Sequence, residues 1–495
     1  MIKRAILMLG ATTSLAACSL APHYVRPSLP VPPSWPTGDA YLAQSEAALP
    51  SVDYRQVFKD PRLQQIITQS LENNRDLRVA VADIEEARAE YRIQHAGLFP
   101  EIDANANASF RGGGSQRVST GGTGTSTTTV SSADHTYSAD IGTSAFEIDL
   151  FGRVRSLSRA ALDQYFATEA GARATRLSLV GEVATAWLTY AADKSLLKIA
   201  EDTATSAQQS VTLTQERLNG GIAPRTDLRQ AQTVLDTAQS DVAQQKTALA
   251  QDVDALQLLV GAPVDPSLLP ESIESVGSTL GELPAGLSST ILLRRPDVVQ
   301  AEYQLRAANA QIGAARAELF PTISLTGLAG FASTALSSLF TGGAFNWSVA
   351  PSASYSIFRA GAGRATVAES EAAKTAAVAT YEKAIQTAFR DVADALARRG
   401  TIAAQETADH NDVVHSLDNY QLSEARYKGG IDTYLNSLDA QRTLYGAQRT
   451  YVATELTRAT NLVDLYTALG GDATLDATAH GPKPTAPEPQ GSPIP

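Results

Sequence analysis

The sequence is short of the residues that usually carry chemistry. It holds one cysteine, two methionines, three tryptophans and six histidines in 495 positions. One cysteine excludes a disulfide framework and any cysteine-cluster zinc or iron–sulfur site. Six scattered histidines do not suggest a histidine metal site. Basic charge is in deficit, with 40 Lys and Arg against 52 Asp and Glu, a net charge of −12. That balance gives no electrostatic footprint for nucleic acid. Gly (34) and Pro (23) are near ordinary usage, which excludes collagen-like and wholly disordered chains.

Catalytic motifs are equally scarce. Gly361-Ala-Gly363 follows an expected strand and opens a helix, but Thr366 stands where a dinucleotide loop needs its third glycine. No Gly-Lys-Ser/Thr phosphate loop occurs. The spacing of Glu85, Glu86 and His95 does not bring them together on one helical turn, and His410 and His415 lie in polar helix. We expect no enzyme.

The N-terminus reads as an address. Lys3 and Arg4 precede an apolar run from Ala5 to Ala11, and Leu15-Ala16-Ala17 precedes Cys18. A basic start, a short apolar core and small residues at a cut make an export signal over 1–17. The run is too short to span a bilayer, which needs about 20 residues. Leu-Ala-Ala-Cys resembles the bacterial lipobox, which implies acylation of Cys18; an ordinary signal with a chance cysteine is the alternative. Pro22, Pro27, Pro30, Pro32, Pro33 and Pro36 predict an extended spacer in the segment 18–61.

The rest is one unit written twice. Leu98-Phe99-Pro100 recurs as Leu319-Phe320-Pro321 at an offset of 221. Arg217-Leu-Asn-Gly220-Gly221-Ile222 recurs as Arg426-Tyr-Lys-Gly429-Gly430-Ile431 at 209. We place the first repeat at 62–261, a linker at 262–287, the second repeat at 288–471 and a disordered tail at 472–495. Helices are predicted at 62–98, 153–219, 226–260, 288–319, 363–428 and 433–469, rich in Ala, Gln, Leu, Glu and Arg. Leu228, Ala231, Leu235, Ala238 and Val242 follow the coiled-coil period. Glycine pairs end the two longest helices. Two short helices stacked end to end match one long helix in length, so the helices should form a rod with no deep core of its own.

Four strands are predicted, at 101–111, 137–149, 322–331 and 346–358. Ile102, Ala104, Ala106, Ala108 and Phe110 alternate with Glu101, Asp103, Asn105, Asn107 and Ser109; the others alternate alike. Period two means a sheet with unlike faces, and about ten residues suffice for a tilted strand to cross a bilayer. Aromatics gather at the strand ends, an outer-membrane barrel trait. Residues 319–358 carry no charge, but Pro321, Pro351 and many Gly and Ser argue against a membrane helix. A soluble half-buried sheet is the other alternative. The connection 112–136 reads as a flexible loop. Four strands cannot close a barrel, and eight leave an interior filled with side chains. Twelve strands from three chains would leave a wet lumen.

This constellation resembles the outer-membrane efflux proteins, the TolC-like channel family, in its NodT-type lipoprotein branch. The lipobox, Leu-Phe-Pro before a strand, Arg294-Arg295-Pro296-Asp297 and the Gly-Gly-Ile tips carry the resemblance. It implies a mostly α fold with transmembrane β-structure: a homotrimer with a twelve-stranded barrel on a long periplasmic helical barrel. It implies a periplasmic adaptor and an inner-membrane pump of the resistance-nodulation-division class as partners, and export of drugs or other small amphiphiles. No cofactor is implied beyond N-palmitoyl and S-diacylglycerol lipid on Cys18. Gly220, Gly221, Ile222, Gly429, Gly430 and Ile431 align with the adaptor-contact tips. Leu435 aligns with an apolar constriction and Asp439 with an acidic ring; Tyr427, Asp432, Asn436 and Asp227 complete the gate region. Asn436 and Asp432 depart from relatives that carry an acid and an arginine there. Leu435 as a buried heptad residue and Asp439 on a solvated face are the plain alternatives. A lipid-anchored trimeric stalk or adhesin, or the outer-membrane part of a type I protein secretion system, are the rival functions.

Overall fold

The computed structural model describes residues 19–41, 53–112, 116–118, 128–130, 133–276, 289–478 and 481–483. The expected export signal and Cys18 lie outside the described residues, as do 277–288 of the linker and 484–495 of the tail.

The first repeat runs α1 (Pro61–Asn73), α2 (Arg75–Ala96), β1 (Asp103–Gly112), β2 (Ala133–Glu147), α3 (Arg153–Asn219) and α4 (Arg225–Val260). The second runs α5 (Pro296–Ala317), β3 (Thr322–Ser333), β4 (Phe345–Ser354), α6 (Ala362–Lys428) and α7 (Tyr434–Ala468). Helices α3 and α6 each have 67 residues, about 100 Å at 1.5 Å per residue. Each starts after a left-handed glycine, Gly152 (φ 77) and Gly361 (φ 88). Their first residues differ by 209, and those of α2 and α5 by 221. The offsets of the sequence repeat are therefore offsets of structure.

Several expectations are corrected. The helix expected over 62–98 is two helices broken at Asn74, whose ψ is 137° and whose side chain accepts from the Leu77 N–H. Asparagine offers the backbone this local alternative to the helical bond. The helix expected from 288 begins at Pro296, at the favoured first position, behind a 3-10 turn over Ser289–Arg294. Strand β4 stops at Ser354 rather than 358. The 112–136 connection contains a short strand pair, Gln116–Val118 with Thr128–Val130. The tail expected to be disordered from 472 is structured over 472–478 and 481–483. Asp472 pairs with Arg176 at 2.8 Å, Leu475 is buried, and Ala477–Thr478 pairs with Gly481–Pro482. The proline-rich N-terminal segment is extended over 19–41, and it packs along the helices as a strap: Asn309 donates to the Pro22 carbonyl, Arg26 pairs with buried Glu302, and Trp35 stacks on Phe389 at 4.8 Å.

The rod also has a core, contrary to expectation. Near the middle of the long helices Trp187, Leu188, Tyr381, Ile385 and Tyr466 bury against Tyr54, Phe58, Ile66 and Ile67, with Ile273 and Val276 of the linker. The Trp187 indole donates to the Leu268 carbonyl at 3.0 Å. Helix lengths alone hid this, because the core is supplied by α1 and the irregular connections that wrap the rod.

The sheet is antiparallel in the order β1-β2-β3-β4. Its register keeps the two faces apart: Ala104 faces Ile141, Ala108 faces Tyr137, Ile141 faces Ala329 and Ala329 faces Trp347, while Asn105 faces Asp140 and Ser324 faces Ser352. Strand β2 bulges between Thr143 and Phe146, with Ala145 at φ 55. Phe146 thus takes the place opposite Leu325 that strict alternation assigned to Ala145.

The hairpin of α3 and α4 carries a titratable contact. Burial, together with the neighbouring Asp193 charge, pushes Asp252 up to about 6, and burial raises Asp193 as well. Between pH 4 and 6 the folded chain keeps a proton that the unfolded chain has released, so this contact stabilises more as pH falls. Asp252→Asn is expected to raise the thermal midpoint at pH 7.5 and leave it unchanged at pH 4.5. Equal shifts at both pH values in differential scanning fluorimetry would contradict this.

Candidate functional site

The two helical hairpins end in the same turn, at the far end from the sheet. Gly221 (φ 77) and Gly430 (φ 73) adopt the left-handed conformation that only glycine takes without strain. The Ile222 N–H bonds the Arg217 carbonyl and the Gly221 N–H that of Leu218; Ile431 and Gly430 repeat the pattern with Arg426 and Tyr427. This double bond set satisfies the last helical carbonyls. It also fixes the two isoleucines outward, 70% and 66% exposed. An apolar side chain held in water at each tip is a ready contact for a partner.

Behind the tips the hairpins are joined to each other. The Arg217 guanidinium lies 4.7 Å from the centre of the Tyr427 ring and donates to the Tyr427 carbonyl at 2.9 Å. Tyr427 is buried, its ring lies tilted against that of Tyr434 at 5.3 Å, and its hydroxyl meets that of Thr214 at 3.3 Å. Higher up, the Ser206 and Tyr420 hydroxyls lie 2.6 Å apart and Tyr445 donates to Asp241 at 2.6 Å. Burial pushes Tyr434 up to about 12, and burial with the Asp241 carboxylate does the same to Tyr445, so both phenols stay protonated.

The residues aligned with the gate separate into four groups. Leu435, Asn436 and Asp439 share the exposed face of α7, and Leu435 is 57% exposed in the single chain. The opposite face, Tyr434, Ser437, Leu438 and Gln441, is buried. Asp432 turns back to Arg426, which holds its carboxyl below the usual range. Asp227 sits in the first turn of α4, where the helix dipole favours an acid. Tyr427 belongs to the joint between hairpins. The residue that sequence reasoning missed is Arg217. Its repeat partner Arg426 has Asp432 six residues on, whereas Arg217 has Ala223 at that place. Without a local acid, Arg217 reaches across to Tyr427. A comparison of the two copies, position by position, carried that signal.

At the other end of the rod, the strap brings residue 21 close to the sheet. A Cβ at Gly313 would lie 2.7 Å from the Ala21 side chain and from the Ser156 hydroxyl, near the starts of β3 and α3.

The sequence profile of the outer membrane efflux protein family matches residues 66–262 and 287–471. The chain belongs to this family. It is 44% identical over 472 residues to the solvent efflux pump outer membrane protein SrpC of Pseudomonas putida, covering 94% of this chain and 97% of that relative. Solved structures agree in fold. CusC superposes with a TM-score of 0.80 at 36% identity, over 92% of this chain and all of the other. The open state of the MtrE outer membrane channel of Neisseria gonorrhoeae gives 0.78 at 34%, over 92% and 99%. The efflux-family fold is that of the TolC-like channels, and the protein is an outer-membrane exit channel of an efflux system, not an enzyme.

Removing Arg217 deletes one charge-assisted hydrogen bond and one cation–ring contact, about 2 kcal/mol between the hairpins. Arg217→Ala is expected to speed amide hydrogen exchange in the last turns of α3 and α6 and leave the mid-rod core protected. Unchanged exchange at the tips would show that the joint does not hold them.

Proposed function

We propose that three copies of this chain form the outer-membrane duct of a tripartite pump. Their sheets close a twelve-stranded barrel, and their long helices form a periplasmic tunnel beneath it. An RND-class inner-membrane pump and its periplasmic adaptor supply the cargo, and the adaptor engages the tips Gly220-Gly221-Ile222 and Gly429-Gly430-Ile431. Leu435 and Asp439 from three copies line the narrow neck. Cys18 carries N-palmitoyl and S-diacylglycerol lipid, and intact-mass analysis of the processed N-terminus reads that directly. The cargo is small and apolar or amphiphilic, drugs or organic solvents, as the name of SrpC suggests.

One observation supports the reading most. A two-faced sheet of four strands, open at both edges, continues into helices about 100 Å long whose exposed tips point the other way. The strap's return to the sheet end supports the lipid, since Cys18 precedes Ala21 by three residues. The exposure of Leu435 and Asp439 on one face of α7 supports the neck. Three like carboxylates around a narrow bore repel one another and attract cations. Movement of α6 and α7 away from α3 and α4 would widen it, biased by whatever grips the tips.

Reconstitution in a planar bilayer tests the duct and its neck together. Discrete channel steps with cation preference are expected, and Asp439→Ala should shift the reversal potential in a salt gradient toward zero. Absence of conductance would contradict the duct; identical reversal potentials would contradict the acidic neck. A strain lacking the protein should gain sensitivity to dyes, antibiotics and solvents. Loss of secretion of one polypeptide with unchanged sensitivity would instead favour the protein-secretion function.

A further inference from the structure

Two cavities open at the middle of the rod, one for each repeat. The offsets that relate the repeats carry Asp76 onto Asp297 and Glu182 onto Asp391, and these four acids help to line the two cavities. The first, about 490 Å³, lies between α2, α3 and α5. The second, about 500 Å³, lies where the start of α5 meets α3, α6 and α7. Both fall within the size range of small-molecule sites. Acidity alone does not make a site, and the first cavity shows why. Its buried polar side chain, Asn74, has both ends engaged: it accepts from the Leu77 N–H and donates to the Leu259 carbonyl.

The second cavity is different. Asn461 is 3% exposed and donates to the Ala395 carbonyl at 3.0 Å, but its Oδ1 has no hydrogen-bond partner. One turn along α7, Asp464 lines the same cavity, and among the described residues its carboxylate has neither a hydrogen bond nor an ion pair. Burial raises that carboxyl, and no opposite charge holds it down. The other acids are answered. Arg295 pairs with Asp297 at 2.8 Å, and Arg390 reaches Asp391 at 2.7 Å and Asp394 at 3.9 Å. Arg398 also lines the cavity, but at a distance. The Asn461–Ala395 bond sets those two residues level on antiparallel helices, so Asp464 is level with Val392, and Arg398 stands about 9 Å away along the axis.

Two acceptors one helical turn apart, with no donor between them, define a ligand. An ammonium group has three N–H donors and no acceptor. It can give one to the Asn461 Oδ1 and another to Asp464, the latter a charge-assisted bond. A metal ion is a poor match, because no group of three His, Cys, Asp or Glu side chains among the described residues could hold one. Leu177, Ala395 and Ala468 add apolar wall, so the body that carries the amine can be hydrocarbon.

We infer that this cavity binds organic ammonium ions, primary amines on a small apolar body, with Asn461 and Asp464 holding the head group. Its place on the rod gives it a role. Ala174 and Ser178 of α3 line it, and they lie on the face opposite Val180, Val183, Ala184 and Trp187, which fill the mid-rod core. On α7, Asp464 lies about seven whole turns beyond Asp439, some ~38 Å, so the two share a face. In the duct reading, on which this role rests, that face borders the bore, and an amine moving from the neck to the barrel meets the site on its way. The neck attracts cations by charge; this cavity distinguishes an ammonium group by its donors.

Isothermal titration calorimetry of the full-length protein in detergent, against a micelle blank, tests the site. A salt concentration of about 0.15 M screens exposed charges that are more than roughly 8 Å apart. The probe is 2-phenylethylamine. Its neutral match in size is 2-phenylethanol, and its trimethylated form keeps the charge but loses the N–H donors. The amine is expected to bind at least tenfold more tightly than either. Asp464→Asn, of the same shape, should weaken the amine at least tenfold and leave the alcohol unchanged. Glu182→Gln, in the first cavity, should leave the amine unchanged. Equal affinity for the amine and the alcohol, or for the amine and its trimethylated form, overturns the site. Equal losses in Asp464→Asn and Glu182→Gln also overturn it, since they would show only a general acidic wall. Binding is read on the protein whether or not it conducts. Absent amine binding with channel steps retained overturns the site and leaves the duct standing; absent conductance with amine binding intact overturns the duct and leaves the site.

Discussion

An unpaired strand edge has no place in a bilayer. Each backbone N–H or C=O left without a partner in hydrocarbon costs several kcal/mol. The four-stranded sheet of this efflux-family chain has two such edges, β1 and β4, and every residue of β4 is exposed in the single chain. The remaining architecture answers that constraint. The helices are long, and both α6 at Ala365, Ala372, Ala376 and Ala379 and α2 at Ala82, Ala89 and Ile93 leave exposed faces that other copies can cover.

Duplication also explains where function departs from architecture. Where the two copies agree, as at Gly220-Gly221-Ile222 and Gly429-Gly430-Ile431, they build the same turn and expose the same isoleucine. Where they differ, they specialise. Arg426 closes on Asp432 within its own turn, while Arg217, facing Ala223 instead, crosses to the Tyr427 carbonyl and ring. One arginine stabilises a tip and the other ties two hairpins together. The second tie is the one that any separation of the hairpins must break.

Much of the fold was legible in the sequence because long periods leave strong signals. The ends of α3 over 153–219 follow from a left-handed glycine before the helix and a glycine pair after it, both local rules. The strands were legible through alternation, up to the point where the Ala145 bulge shifted the phase. What escaped was non-local. The Asn74 side chain that caps α2 also donates to the Leu259 carbonyl, 185 residues away, which holds the break in place. The buried Arg26–Glu302 pair and the mid-rod core around Trp187 depend on contacts between segments far apart in the chain. In the candidate site, the tips were legible through the repeated Gly-Gly-Ile, and Leu435 and Asp439 only through the family resemblance. Arg217 was not singled out, because its partner lies 210 residues away and no motif links them.

One chain supplies a third of a closed wall. Native mass spectrometry of the protein released from detergent micelles should show a particle of three protomer masses that survives at low concentration, with little single-chain species. A stable single-protomer mass under the same conditions would contradict it.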